Sequence, residues 1–237
     1  MHNLILTRHG QSLWNKEKRF TGWADIELSE KGKSEAELAG KLIKKLNIEF
    51  DVCFSSALKR AVNTLKIILN VLGEKKLKTI TAWEFNERHY GNLTGLNKNE
   101  ILKKHGEKQV QIWRRSFSTP PPPMDSKNPY KANIYENNSK KKMPQSESLK
   151  DTFERVVPYY QKNIEPLILS KKNILISAHG NSLRALCKKI FNITEKNITK
   201  FEIPTGNPML IRFTDNLKIK DYKYLDNTRA KKILHGV

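Results

Sequence analysis

Apolar and polar positions fall into alternating blocks along the chain. Leu4-Ile5-Leu6 is a short apolar run that stops at Thr7-Arg8-His9-Gly10, the pattern of a buried strand feeding a glycine loop. A polar loop through Trp14, Asn15, Thr21, Gly22 and Trp23 follows. After Ser29-Glu30-Lys31-Gly32, the residues Ala36, Leu38, Ala39, Leu42, Ile43 and Leu46 predict a helix with one apolar side. Residues 50–54 predict a second strand, and 57–72 a second helix stopped at Gly73. A short extended piece over 78–81 leads into a polar stretch from Glu84 to Lys98. Helical segments are expected around Ile101-Leu102 and Ile112-Trp113, before Pro120 to Pro123 break the chain. Residues 116–145 read as a surface excursion, long enough to serve as a lid. A helix over 146–163, bent at Pro158, is followed by an apolar strand at 173–177 that runs into Ala178-His179-Gly180-Asn181. A helix through Leu183, Leu186 and Ile190 comes next, then strands at 209–213 and 219–224, and a tail at 226–237 expected to be mobile.

Strands alternating with helices predict an α/β fold: three layers, with a mostly parallel mixed sheet flanked by helices. The whole chain, 1–237, is expected to form a single domain with a lid-like insertion at 116–145. Ligands of such sheets sit at the carboxyl ends of strands, and both His-Gly pairs, His9-Gly10 and His179-Gly180, lie at such an end.

Composition narrows the classes. With 38% hydrophobic residues over 237 positions the chain can bury a core. No apolar run approaches the ~20 residues of a membrane span, and the start of the chain has too short an apolar stretch for a secretory signal, so a cytoplasmic protein without a membrane partner is expected. Cys53 and Cys187 sit in apolar runs and read as inert core thiols, and no Cys/His cluster has zinc spacing. The net charge of +20 invites a nucleic-acid reading. The excess is mostly scattered lysine along polar helix faces, so solvated surface charge without a nucleic-acid partner is the favoured reading.

The arginines point elsewhere. Arg8, Arg60, Arg88, Lys98, Arg114 and Arg115 are fixed cations expected near the two histidines, and they suit a substrate with more than one phosphate. A neutral histidine can accept a phosphoryl group if its second ring nitrogen donates to a carbonyl. The other histidine and the arginines would stabilise the transferring group, with Arg60 gripping it through two bonds, and Glu87 would shuttle the substrate hydroxyl proton. No Walker loop and no Asp-rich metal site is visible, so no metal is expected.

At these residues the chain resembles a known family. Arg8-His9-Gly10-Gln11-Ser12 looks like the phosphohistidine motif of the histidine phosphatase superfamily. The run from Arg8 to Asn15 with Phe20-Thr21-Gly22-Trp23 is similar to the cofactor-dependent phosphoglycerate mutases. So are the blocks at 55–61, 86–91, 93–98 and 113–115, the prolines 120–122, and the block at 177–182. The resemblance implies that His9 carries the phosphoryl group, Glu87 is the acid and base, and His179 stabilises the transition state. It implies that Arg8, Asn15, Thr21, Gly22, Arg60, Arg88, Tyr90, Lys98, Arg114, Arg115, Gly180 and Asn181 bind substrate. It further implies interconversion of 2-phosphoglycerate and 3-phosphoglycerate, a step of glycolysis and gluconeogenesis, with 2,3-bisphosphoglycerate as priming donor and a homodimer or homotetramer. The 124–142 region and the tail from Thr228 are unlike the family pattern. The rival readings are a phosphatase of the same superfamily, in which water takes the phosphoryl group, and a basic nucleic-acid-binding protein.

Overall fold

The apolar runs become the inner strands of one sheet. The computed structural model describes residues 2–131, 134 and 143–230. Its strands are β1 (His2–Arg8), β2 (Val52–Ser55), β3 (Thr79–Thr81), β4 (Ile174–Ala178), β5 (Met209–Phe213) and β6 (Ile219–Tyr224), in the spatial order β3-β2-β4-β1-β5-β6. The pairs β1–β4, β2–β4 and β2–β3 are parallel, whereas β5 runs antiparallel to both β1 and β6. The sheet is therefore mixed and mostly parallel, as the alternation of strands and helices predicts.

Eight α-helices accompany it among the described residues: α1 (Leu13–Lys16), α2 (Glu30–Lys44), α3 (Lys59–Leu72), α4 (Lys98–Arg115), α5 (Leu149–Asn163), α6 (Glu165–Leu169), α7 (Gly180–Ile190) and α8 (Glu195–Ile198). Alternation along the inner strands sends side chains to two cores. Ile5, Cys53, Leu175 and Leu210 meet Ala39 and Ile43 of α2 and Leu65 and Ile68 of α3. Leu4, Leu6, Phe54, Ile174 and Ile176 meet Val156 and Tyr160 of α5 and Leu183 and Leu186 of α7 on the opposite face. The three-layer single domain follows from that division. Burial raises both core thiols, Cys53 to about 12, which keeps them protonated.

Local signals set the helix ends. Ser29 and Ser148 cap α2 and α5 by accepting from Gly32 N and Asp151 N, and Gly73 closes α3 in the left-handed region at φ 84°. The two helical segments expected around Ile101 and Ile112 are one element, α4, broken at Gly106 (φ 76°, ψ 158°). The helix α5 continues through Pro158. Leu13–Lys16, read as loop, is a short helix held by a reciprocal Ser12–Asn15 capping box.

The stretch 116–145 is packed down where it is described. Phe117, Met124 and Asn128 are buried, Met124 N donates to Gln145 O at 2.9 Å, and Asn128 Nδ2 donates to Thr94 O. Tyr130 lies edge-on to Trp14 and flat against Gly95, whose φ of +85° and open Cα face make room for the ring. Residues 226–230 of the expected tail are also anchored. Asp226 caps a single 3₁₀ turn (Asn227–Arg229), and Arg229 donates to Thr205 O and Gly206 O. Positions 132–133, 135–142 and 231–237 lie outside the described residues.

Candidate active site

Adjacent parallel strands bring the two histidines together. Arg8 at the end of β1 pairs with Ala178 at the end of β4, and His9 N donates to Ala178 O at 3.0 Å. The next residue on each strand is a histidine, and the His9 and His179 ring centroids lie 4.9 Å apart with planes tilted by 57°. Both rings are buried. Burial first, and the Arg60 guanidinium second, hold both imidazoles well below their usual basicity, so both are neutral at pH 7.

Hydrogen bonds distinguish the ring nitrogens. His9 Nδ1 lies 2.7 Å from the Gly10 carbonyl. A carbonyl only accepts, so Nδ1 carries the proton and the Nε2 lone pair is left for chemistry. Gly10 N donates to Thr64 Oγ1, which itself donates to Arg60 O, tying this loop to the first turns of α3. His179 Nε2 lies 2.6 Å from Ser56 Oγ, while its buried Nδ1 has no protein partner.

Arg60 is anchored on a neighbouring loop. Its two terminal nitrogens donate to Ala24 O (2.9 Å) and Gly22 O (2.8 Å), which fixes the guanidinium plane while one further N–H on each nitrogen stays available. Buried and with Nε unpartnered, it gives the histidines a fixed positive field and keeps N–H donors for an anion. Arg8 and Arg88 are better placed to give donors. Arg8 Nε and the Nε and NH1 of Arg88 are buried without partners, while Arg8 NH1 is held by Ile203 O and Arg88 NH2 by Arg114 O.

Glu87 faces the same space. One of its carboxylate oxygens accepts from Arg88 N at 2.8 Å and from Asn181 N at 3.2 Å, at the amino end of α7. Its backbone carbonyl accepts from Trp23 Nε1 and from Arg155, a buried arginine paired with Glu147. Glu87 is thus oriented by backbone donors. Asn181 Nδ2 donates to Tyr90 Oη, and the Arg88 guanidinium stacks 4.7 Å over the Tyr90 ring.

Two adjoining cavities share Arg8, Glu87, Tyr90 and Lys98. The smaller, about 60 Å³, reaches His9 and is lined by Asn15, Thr21, Gly22 and Arg60. The larger, about 190 Å³, extends past Gly180 and Asn181 to Arg114, Arg115 and Arg184. Burial, with Arg114 and Arg8 nearby, lowers the Lys98 ammonium.

Comparison with known proteins places this geometry. The model of the histidine phosphatase superfamily, branch 1, matches residues 4–132 and 124–221. A 2,3-bisphosphoglycerate-dependent phosphoglycerate mutase from Pelagibacter ubique is 49% identical over 99% of each chain. One from Treponema denticola is 48% identical over 94% of this chain and 91% of its own. The chain belongs to the phosphoglycerate mutases of the histidine phosphatase superfamily. Solved structures agree on the fold: a mycobacterial glucosyl-3-phosphoglycerate phosphatase has a TM-score of 0.71 at 20% identity, covering 94% of this chain and 97% of that one. The alpha-ribazole phosphatase from Shigella flexneri has a TM-score of 0.66 at 19% identity, covering 90% and 91%.

In this mutase the cavities or their immediate walls bring together all fifteen residues singled out in the sequence: His9, Glu87 and His179 with Arg8, Asn15, Thr21, Gly22, Arg60, Arg88, Tyr90, Lys98, Arg114, Arg115, Gly180 and Asn181. Sequence reading missed Ser56 on His179, and Arg184 and Glu202 in the larger cavity. Arg184 had a visible signal: it is a charge inside the apolar run Leu183-Arg184-Ala185-Leu186, and it is buried with NH1 on Asn181 Oδ1. Glu202 had none, because an acidic residue between Phe201 and Ile203 reads as a strand-edge charge.

Proposed function

We propose that the chain interconverts 2-phosphoglycerate and 3-phosphoglycerate by carrying a phosphoryl group on His9 Nε2. The observation that carries the reading is the neutral His9, its Nδ1 pinned to Gly10 O, 4.9 Å from a second neutral imidazole in an arginine-lined cup. The residues present fit a doubly phosphorylated ligand, because unpartnered buried donors of Arg8 and Arg60 line two adjoining cavities and those of Arg88 lie behind Tyr90, which lines both. 2,3-Bisphosphoglycerate supplies the phosphoryl group that first loads His9.

The chain's residues then divide the work. Arg8, Arg60 and His179 stabilise charge on the transferring oxygens. The Ser56 hydroxyl accepts from Leu58 N at 3.2 Å and can donate to His179 Nε2, which leaves the His179 proton on Nδ1 as a donor kept for a phosphoryl oxygen. Glu87 takes the proton of the attacking substrate hydroxyl and returns it to the leaving oxygen. Asn15, Thr21 and Gly22 line the His9 end, and Tyr90, Lys98, Arg114, Arg115, Gly180 and Asn181 hold the rest of the molecule, with Arg88 stacked on Tyr90 as a further donor. The 116–145 insertion and the tail would cover the site against water. A cytoplasmic location and a homodimer or homotetramer complete the reading.

A coupled assay with 3-phosphoglycerate tests it. Isomerisation stimulated by 2,3-bisphosphoglycerate is expected, and free phosphate as the main product would overturn it. His9→Ala is expected to lose both turnover and acid-labile phosphate on the protein; label retained at wild-type level would place the nucleophile elsewhere.

A further inference from the structure

Arg115 closes α4 and lines the larger cavity, and its guanidinium is ion-paired with the carboxylate of Glu202. The other lining charges are the cations Arg8, Lys98, Arg114 and Arg184 and the carboxylate of Glu87. Glu87 is held by two backbone N–H groups and is engaged in the proposed proton transfer. Glu202 is different: its carboxylate rests on a cation at the part of the site farther from His9, where the acidic remainder of a phosphoglycerate would bind.

The backbone around Glu202 is fixed while its side chain is not enclosed. Phe201 and Ile203 are buried on either side of Glu202, which lines the cavity. Arg8 NH1 donates to Ile203 O at 2.8 Å, and Tyr224 Oη lies against Glu202 O at 3.5 Å. The Glu202 side chain retains 45% of its exposure and that of Arg115 28%. A short rotation of one side chain can therefore open the ion pair without moving the chain.

We propose that Glu202 is a specificity-determining residue, a built-in carboxylate that occupies Arg115 in the empty site and is displaced by the acidic end of the substrate. The inference rests on the phosphoglycerate reading. Its physical basis is competition: an incoming anion must share the Arg115 guanidinium with the Glu202 carboxylate or displace it, and Glu202 then lies near the ligand as a like charge. The residue thereby holds down affinity for multiply charged ligands at the end of the site farther from His9.

The test measures 3-phosphoglycerate affinity by calorimetry for the unphosphorylated full chain and for Glu202→Gln, with thermal melting to check the fold. Because the pair is partly exposed, Glu202→Gln is expected to bind about three- to tenfold more tightly. In an Arg115→Gln background the same change is expected to have less than a twofold effect, because there is no guanidinium left to release. Glu202→Ala should follow Glu202→Gln, which separates the charge from the amide's own hydrogen bonds. Unchanged or weaker binding in Glu202→Gln, or equal tightening with and without Arg115, overturns the proposal. Calorimetry does not depend on turnover, so tighter binding without isomerisation would sink the mutase reading alone. Isomerisation with unchanged affinity would sink the role of Glu202 alone.

Discussion

At the scale of single residues, reactivity is decided by which polar atoms have partners. The Gly10 carbonyl selects the tautomer of His9, and the surrounding arginines leave buried N–H groups for an anion. Tyr90 is the residue whose charge changes within the working range. Burial alone would raise its phenol, but Arg88 over the ring and Lys98 nearby bring it down to about 8. Below that pH the phenol is neutral and donates; above it a phenolate adds negative charge to an anion-binding pocket. The KM for 3-phosphoglycerate is therefore expected to rise by up to about tenfold per pH unit above 8, and Tyr90→Phe should remove the rise. The same alkaline limb in both enzymes would mean that another group titrates there. The histidines were legible from sequence because each follows an apolar run and precedes a glycine. The anchoring of Arg60 was not, because the partners of its terminal nitrogens, the Gly22 and Ala24 carbonyls, come from a loop far away in sequence.

At the scale of elements, the loop that carries His9 is positioned by a helix start. Gly10 and Gly32 let the turn after β1 touch the first turn of α2: a Cβ on Gly32 would sit 2.0 Å from Gln11 O, and one on Gly10 would sit 2.1 Å from Gly32 O. Both obstacles are backbone, so no side chain can swing aside. Gly32→Ala is expected to cost about 1–3 kcal/mol of stability, roughly 2–10 °C in Tm, and to lower kcat by displacing the loop that holds His9. Circular dichroism melting and steady-state kinetics check both effects; a wild-type Tm and kcat would show that the contact yields freely. The strands and the caps at Ser29, Gly73 and Ser148 were readable because periodicity and capping are local. The packed course of 116–131 was not. Its burial comes from Asn128 reaching Thr94 and Tyr130 covering Gly95, contacts between segments that carry no shared pattern.

At the scale of the whole molecule, the fold class followed from the alternation of strands and helices, while the order β3-β2-β4-β1-β5-β6 depended on pairings distant in sequence. That order makes β1 and β4 neighbours. Neighbouring strands lie about 4.8 Å apart, and the two imidazoles, one residue beyond each strand, are 4.9 Å apart. The spacing of the two imidazoles thus matches the repeat of the sheet itself, kept by main-chain ladders in the interior. Such ladders open only with the global transition. Heat should therefore leave the pairing of the rings intact until the sheet parts. Inactivation and cooperative melting are expected to coincide in one scan, whereas activity lost well before the melt would mean that the spacing is held by something softer than the strands.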